Sequence, residues 1–371
     1  MKGSRALSLG LVLIFVAACG GAAVPRPSAT PKPNDQLSAL IAGARTELEL
    51  TLSWTPGFMD SPQELKRYIE GFNRTYGLNL RVTFTPGLPI REMTARTIEE
   101  FKRSAKASTD VVLGAETDIS DLQRASVLVT EPWLQWASNV NNPRAIAAAG
   151  VAVRVQTRIP GITYNSAKLA GSLAPRTLAD LLRPQYKGRV ATTADPVVFE
   201  RLASADVWGR DKTLGYVRSL APQLGGYLNC GDEARIAEGD FDVFVYDCGS
   251  ARVNQMKAKG TLIGWAVPTD GALLGYLYMG VPKNAAHPNA AKLWINYMLS
   301  REAQDAMYEF GFTDYHLASG SKSFAEVDKM TKNGVKFYEL TVERVLVDVL
   351  NGGKTAGPDL RAILPVTPAR R

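Results

Sequence analysis

From Glu47 onward the sequence repeats one pattern: a short apolar or alternating run, a turn, then an amphipathic run with helical spacing. A chain written this way folds as an α/β protein. Leu48 to Trp54 (LELTLSW) alternates like a strand and stops at Thr55-Pro56-Gly57. Ser61-Pro62 then opens a helix as N-cap and first helical residue, with Leu65, Tyr68, Ile69 and Phe72 on one face. Leu80 to Thr85 reads as a strand, Ile90 to Ala107 as a helix and Asp110 to Leu113 as a short buried strand ending at Gly114. In a second block Arg158 to Asn165, Arg189 to Thr193 and Phe241 to Tyr246 read as strands, with helices over Thr177 to Leu182, Val198 to Ala205 and Lys212 to Leu220 between them. Near Leu273 an apolar segment returns, Pro288 starts a long amphipathic helix, and Ser300 caps the next, Arg301 to Tyr308. A mostly parallel sheet is expected, and the tail reads as helical around Val335 to Leu350.

The chain has 371 residues, 46% hydrophobic and 21% charged, which is enough for about two domains, each with its own core. Disordered, collagenous and disulfide-dense classes are excluded by this composition. The N-terminus carries Lys2 and Arg5, a thirteen-residue mostly apolar run from Ala6 to Ala18, and then Cys19. That run is too short to span a bilayer, which takes about 20 residues, and has the layout of an export signal. Val16-Ala17-Ala18-Cys19-Gly20 resembles a bacterial lipobox, in which the cysteine is lipidated and becomes the first mature residue. Pro25, Pro27, Pro31 and Pro33 follow among Ala, Ser and Thr, as in an extended tether. The expected location is outside the cytoplasmic membrane, anchored to it by lipid at Cys19.

Lys and Arg number 43 against 36 Asp and Glu, so removing Lys2 and Arg5 leaves 41 against 36, an excess of five spread along the chain. No basic run marks a nucleic-acid surface, and the expected compartment also argues against one. Cys230 and Cys248 are the cysteines left over, an even pair that an oxidising compartment can join, with two buried thiols as the alternative. With His287 and His316 as the only histidines and no CxxC, a zinc site has too few ligands, and no cofactor is expected.

Four stretches taken together resemble a known family: Ser108 to Gly114 (STDVVLG) followed by LQRASVL; GITYNSAKL with TLADLLRPQYKGRV; GDFDVFV; and His287 to Gln304 (HPNAAKLWINYMLSREAQ). In that order behind a lipobox they are similar to the extracellular solute-binding proteins of ABC importers, in the branch with ferric-iron, thiamine, polyamine and phosphonate binders. The resemblance implies an α/β, two-lobe periplasmic-binding-protein-like fold of type II, with a discontinuous first lobe and two crossing strands as hinge. Placed on this chain, residues 1–18 are the signal, 19–44 the lipidated cysteine and tether, 45–154 with 273–371 the first lobe, and 155–272 the second. It also implies a monomer that takes a small-molecule solute and passes it to a permease with its ATPase, and no catalysis.

In open parallel sheets ligands sit beyond the carboxyl ends of the strands. The candidates there are Ser53, Trp54 and Thr55; Glu116 and Thr117; Tyr164 and Asn165; Thr192, Thr193 and Asp195; and Tyr246, Asp247 and Ser250. Trp54 offers a stacking wall or a packed core residue, the threonines an anion seat at a helix start or a plain cap, and Glu116 with Asp247 an ammonium partner or solvated acids. Trp265 reads as core. The iron binders of the family use a His in the first loop, a Glu after the DVVL-like strand and paired tyrosines after the GDFDVFV-like strand. Here the first loop has no His, the acid is shifted to Glu116, and only Tyr246 remains. A small charged organic solute is therefore expected over ferric iron, with its sign open. Two other classes stand beside this one: a solute sensor for a signalling partner, and an exported hydrolase, for which G-x-S-x-G, H-E-x-x-H and the phosphate-binding glycine motifs are all missing.

Overall fold

A computed structural model describes residues 33–55, 58–59, 61–350 and 356–364. The export signal, Cys19 and the tether before residue 33 lie outside the described residues. The chain begins with α1 (Pro33–Glu47), β1 (Glu49–Trp54), α2 (Pro62–Tyr76), β2 (Arg81–Pro86), α3 (Ile90–Lys102), β3 (Val112–Gly114), α4 (Glu116–Arg124) and α5 (Trp133–Trp136). It continues through β4 (Ile146–Ala147), β5 (Ala152–Arg158), β6 (Ile162–Asn165), β7 (Val190–Thr192), α6 (Val197–Leu202), α7 (Arg210–Leu220), β8 (Leu224–Tyr227), α8 (Ala234–Glu238), β9 (Val243–Val245), α9 (Ser250–Ala258) and β10 (Ile263–Ala266). It closes with β11 (Leu273–Gly280), α10 (Pro288–Met298), α11 (Arg301–Gly311), α12 (Lys322–Lys332), β12 (Tyr338–Glu339), α13 (Val342–Leu350) and α14 (Gly357–Ile363).

Local chemistry explains the best-defined ends. Ser61 accepts from the Glu64 N–H at 3.0 Å, Pro62 fills the first position of α2, and Gly77 closes the helix in the left-handed region at φ 59°. Strand β1 alternates half-buried and buried residues, as its pattern requires of a strand with one covered face.

The strands form two main sheets. In one, β11 lies between β12 and β5, with β4 beyond β5 and β3 also paired to β11; β1 and β2 form a separate parallel pair. The other has the order β10-β6-β9-β7-β8. The mostly parallel arrangement expected from the sequence is replaced by a mixed one: β8, β7 and β9 are parallel, while β6, β10 and the β5–β11 pair are antiparallel. The chain leaves the first sheet along β5 and returns along β11, so these two neighbours must run in opposite directions. Strand β11 is buried along its whole length, because both its faces are covered. On the second sheet successive residues serve opposite cores, Val243 and Val245 packing with Phe199 and Leu220 while Phe244 packs with Val253 and Ile263.

Several motif residues hold the frame. Asp110 accepts from the backbone N–H groups of Thr51, Ala286 and His287 at 2.7, 2.8 and 3.0 Å, joining β1 to the start of α10. His287 is half-buried, with Nδ1 2.7 Å from the Asp110 carboxylate. Gln304 donates to the carbonyls of Val155 and Met298 and accepts from the Tyr315 N–H, which ties α11 to β5.

Three boundaries differ from the sequence reading. The tether expected up to residue 44 is helical from Pro33, with Leu40 and Ala44 buried and the Glu47 carboxylate accepting from the Asn289 and Ala290 N–H groups at the start of α10. Proline at the opening of a helix costs no hydrogen bond, so Pro33 marks a beginning and not a linker. Strand β5 stays in the first sheet as far as Arg158, and the chain crosses at residues 159–161, because Pro160-Gly161 breaks what the sequence presents as one strand. In the tail, β12 pairs with β11 at Leu273 and Leu274, and α13 packs on α4. Helix α14 instead packs on α6 and α7, with Leu360 and Leu364 in the core that holds Val190 and Phe199.

Candidate functional site

The two main sheets are joined by a group of buried and half-buried charges at and just beyond strand ends. Glu116 opens α4 just after β3, is 1% exposed, and forms an ion pair with Arg201 of α6, the helix that follows β7. The turn from β3 into α4 is tight: a Cβ on Gly114 would lie 2.8 Å from the Asp118 side chain, whose carboxylate accepts the Ala115 N–H at 3.1 Å. Gly275 of β11 leaves room on the other side, since a Cβ there would stand 4.0 Å from Glu116 Oε2. Arg158, the last residue of β5, donates from Nη2 to the Cys248 carbonyl at 2.8 Å. After β9 the chain turns at Tyr246 (φ 49°), so that Asp247 accepts from the N–H groups of Gly161 and Gly249, both at 2.9 Å, and from the Thr163 hydroxyl at 2.5 Å. Cys248 is bonded to Cys230 with 5.6 Å between their Cα atoms, closing the loop that carries the buried Glu233.

Burial raises the Glu116 carboxyl above the ordinary range, opposed by Arg201 and, more weakly, Arg158. Burial also lowers Arg158, and the neighbouring Arg201 guanidinium lowers it further. Asp247 is raised by burial against the hydrogen bonds it accepts, and Glu233 is raised by burial and by Asp247. The arrangement is a low-dielectric set of partly compensated charges, the environment in which an ionic ligand group is held strongly if it is held at all.

The thirteen candidate residues divide on this geometry. Glu116 and Asp247 lie in the cluster, both near enough to act on Arg158. Ser53, Thr55, Thr117, Tyr164, Thr193 and Ser250 are half-buried and Asp195 is exposed. Trp54 is core and no wall: it is 2% exposed, its indole N–H donates to the Val111 carbonyl at 2.6 Å, and it packs edge-on against Phe58 and Phe84. Asn165 binds the carbonyls of Ile236 and Ala237, Thr192 donates to the Val245 carbonyl, and Thr193 donates to the Asp195 carbonyl. The Tyr246 hydroxyl is spent on the Gly271 carbonyl at 2.8 Å. Trp265, read as core, is half-buried against Gly161. Arg158, Arg201 and Glu233 escaped the sequence reading. Arg201 stands a full turn into the helix after β7, beyond where a search of strand ends stops, and Arg158 reads as the start of a strand that in fact ends there.

An open groove of about 640 Å³ between α3 and α4 is lined in part by Arg91, Lys102, Asp121 and Arg124. Its charges are already matched, Arg91 pairing with Asp118 and Asp121, Arg124 with Asp121 and Lys102 with Glu99, so it offers less chemistry than the buried cluster.

Residues 148–337, just over half of the 371, match the model of the bacterial extracellular solute-binding proteins. The chain belongs to that family. This solute-binding protein is 21% identical over 214 residues to the Fe(3+)-binding periplasmic protein of Serratia marcescens, covering 53% of this chain and 63% of the relative. It thus spans less than two thirds of that relative's length. In structure it is similar to the substrate binding protein of an ABC transporter from Agrobacterium tumefaciens, with a TM-score of 0.69, 16% identity, and coverage of 86% of this chain and 96% of that one. A second similar structure is the binding protein AgtB from A. tumefaciens R10 in complex with agropinic acid, with a TM-score of 0.64, 18% identity, and coverage of 85% and 98%. These likenesses show the fold, the two-lobe type II arrangement that the sequence resemblance implies.

Proposed function

We propose that this solute-binding protein is exported, anchored by lipid at Cys19, and captures a small charged organic solute between its lobes for delivery to an ABC permease and its ATPase. The lobes are built on the two main sheets and meet through residues 159–161 and 267–272, with α14 riding on the second. The observation that carries the reading is the Glu116–Arg201 pair: opposite charges from the helices that follow β3 and β7, in different sheets, with Glu116 buried and Arg201 largely so. Buried charge is costly and seldom stabilises a fold better than apolar packing, so its presence here supports a ligand role. An organic solute is favoured over ferric iron because the tyrosine after β9 is buried and its hydroxyl already bonded.

Thermal melts against carboxylic acids, phosphorylated and phosphonate compounds, polyamines, sugars and ferric citrate test the reading. A true solute at a hundred times its dissociation constant adds about 2.7 kcal/mol, several degrees in melting midpoint. No shift from any class, with co-purified ligand excluded by mass spectrometry, would count against a receptor for these solutes. For the anchor, Cys19→Ser is expected to move the protein from the membrane fraction to the soluble one; unchanged partitioning refutes lipidation there.

A further inference from the structure

Away from the cluster between the sheets lies a second cavity, of about 200 Å³. Its walls come from residues 139–145 before β4, from Leu299 and Arg301 where α10 meets α11, and from residues 315–319. All of these surround the first sheet, so the cavity is built without any residue of the second. Ala145, Leu299 and Tyr315 are buried and back it, while Asn141 and Ser319 are exposed at its rim. Local bonds fix the frame and leave polar groups over. The Asn139 N–H donates to Asn296 Oδ1 at 3.0 Å and its Nδ2 to the Asn296 carbonyl at 3.1 Å, which leaves its own carboxamide oxygen. Asn142 Oδ1 accepts the Arg144 N–H at 3.0 Å, which leaves its NH₂. The side chains of Asn141 and Ser319 make no hydrogen bond to the described residues. Arg301 lies against Gly320, where φ is 73° and a Cβ would collide with Nη1.

The charges here are balanced within the protein. Arg301 Nε donates to Asp305 at 2.7 Å with Asp314 also in its field, and Arg144 pairs with Glu339. What remains is neutral: carboxamides and a hydroxyl, each able to donate and to accept, beside aliphatic and aromatic carbon. A sugar ring offers the complement, hydroxyls around its edge and C–H groups on its face. The volume is about six or seven times the ~30 Å³ of a water in the liquid and below the ~300 Å³ at which drug-sized pockets begin, so it has room for one ring. We propose that this cavity is a second binding site, separate from the solute cleft, and that it takes a single neutral sugar ring, either free or as a unit of a glycan strand. On a strand, the contact would hold the protein to the cell wall while leaving the cleft unoccupied.

The test uses the full chain with glucose, N-acetylglucosamine and purified peptidoglycan as probes. Saturation-transfer NMR gives half-saturating concentrations for the two sugars, sedimentation with peptidoglycan reads the strand, and circular dichroism checks that each variant is folded. The double variant Asn141→Leu, Ser319→Leu changes two exposed side chains and is expected to need at least tenfold more sugar than the wild type and to stop pelleting with peptidoglycan. Where it does not fold, Asn141→Ala alone is expected to weaken binding in the same direction. Sugar saturation without pelleting supports the site with free sugar as its source, and pelleting that the double variant abolishes supports it with the glycan as source. Equal half-saturation and equal pelleting in the wild type and the folded variant overturn the site, as does the absence of any response to all three probes. A sugar response that Arg201→Met abolishes and the double variant retains places the sugar in the cleft and also overturns it. The receptor reading does not depend on these outcomes, since it is judged by the cleft's own solute.

Discussion

His316 allows a pH experiment with a definite sign. It is 5% exposed, its ring stacks on Tyr276 with 5.8 Å between centroids, and its Nδ1 lies 2.9 Å from the Thr157 hydroxyl, which also accepts the His316 backbone N–H at 2.9 Å. Burial, reinforced by the guanidiniums of Arg144 and Arg154, pushes the imidazole down from 6.5 to about 4. Between those values the unfolded chain binds a proton that the folded one refuses, so the stability held above pH 6.5 is lost as pH falls toward 4. A shift of that size is about 3 kcal/mol at 1.36 kcal/mol per pKa unit. Other buried acids are common to both proteins, so the measured quantity is the difference between the wild type and His316→Asn, which keeps an acceptor near Thr157 and cannot titrate. Urea unfolding followed by tryptophan fluorescence at pH 7.5 and pH 4 gives both free energies. The advantage of the wild type over the variant is expected to shrink by about 3 kcal/mol on going to pH 4. An advantage that stays constant to within about 0.5 kcal/mol would show that the native imidazole takes up protons as readily as the unfolded one, and the reasoning would fail.

Asp110→Ala removes the acceptor for three backbone N–H groups and is expected to cost about 3 to 5 kcal/mol, read by urea unfolding; a loss under about 1 kcal/mol contradicts its role as a joint. Trp54→Ala is expected to destabilise by about 3 to 5 kcal/mol while leaving the affinity for any identified solute unchanged, and a selective loss of affinity would return Trp54 to the binding site. Reducing the Cys230–Cys248 bridge, whose cysteines are 18 residues apart, is expected to lower stability by about 3 kcal/mol and to weaken solute binding, because the Cys248 carbonyl positions Arg158. Identical melting midpoints with and without reductant would refute the first part, and an unchanged dissociation constant the second.

The parts of the fold legible in the sequence are those governed by neighbours in the chain. Ser61 before Pro62 marks the start of α2 because a cap is a local hydrogen bond, and FDVFVY contains β9 because period-two burial is written into consecutive residues. Strand β5 was hidden because it is buried on both sides and still carries Arg154, whose guanidinium lies over the Tyr276 ring at 4.5 Å; polar letters in AVRVQTR conceal a central strand. At the site, the acid was visible and its partner was not. Glu116 stands directly after a strand, whereas Arg201 comes 85 positions later and meets it only through the relation of one sheet to the other, which no local pattern encodes. The same limit explains Trp54 and Tyr246: position along the strand is legible, but whether a ring faces solvent or core depends on what packs against it.

The far end of the chain has a mechanical consequence. Two bodies joined by two adjacent straps swing about the line through them, and residues 159–161 and 267–272 are such straps. Near the C-terminus α13 rests on α4, whereas α14 rests on α6 and α7. That last seat is fastened by Leu360 and Leu364, by the Arg210–Asp359 pair and by the Gly357 N–H on Glu200, while Arg344 on α13 also reaches across to Asp206. The C-terminal helices therefore clasp both halves of the fold, one on each, with the Arg344–Asp206 pair as a latch between them.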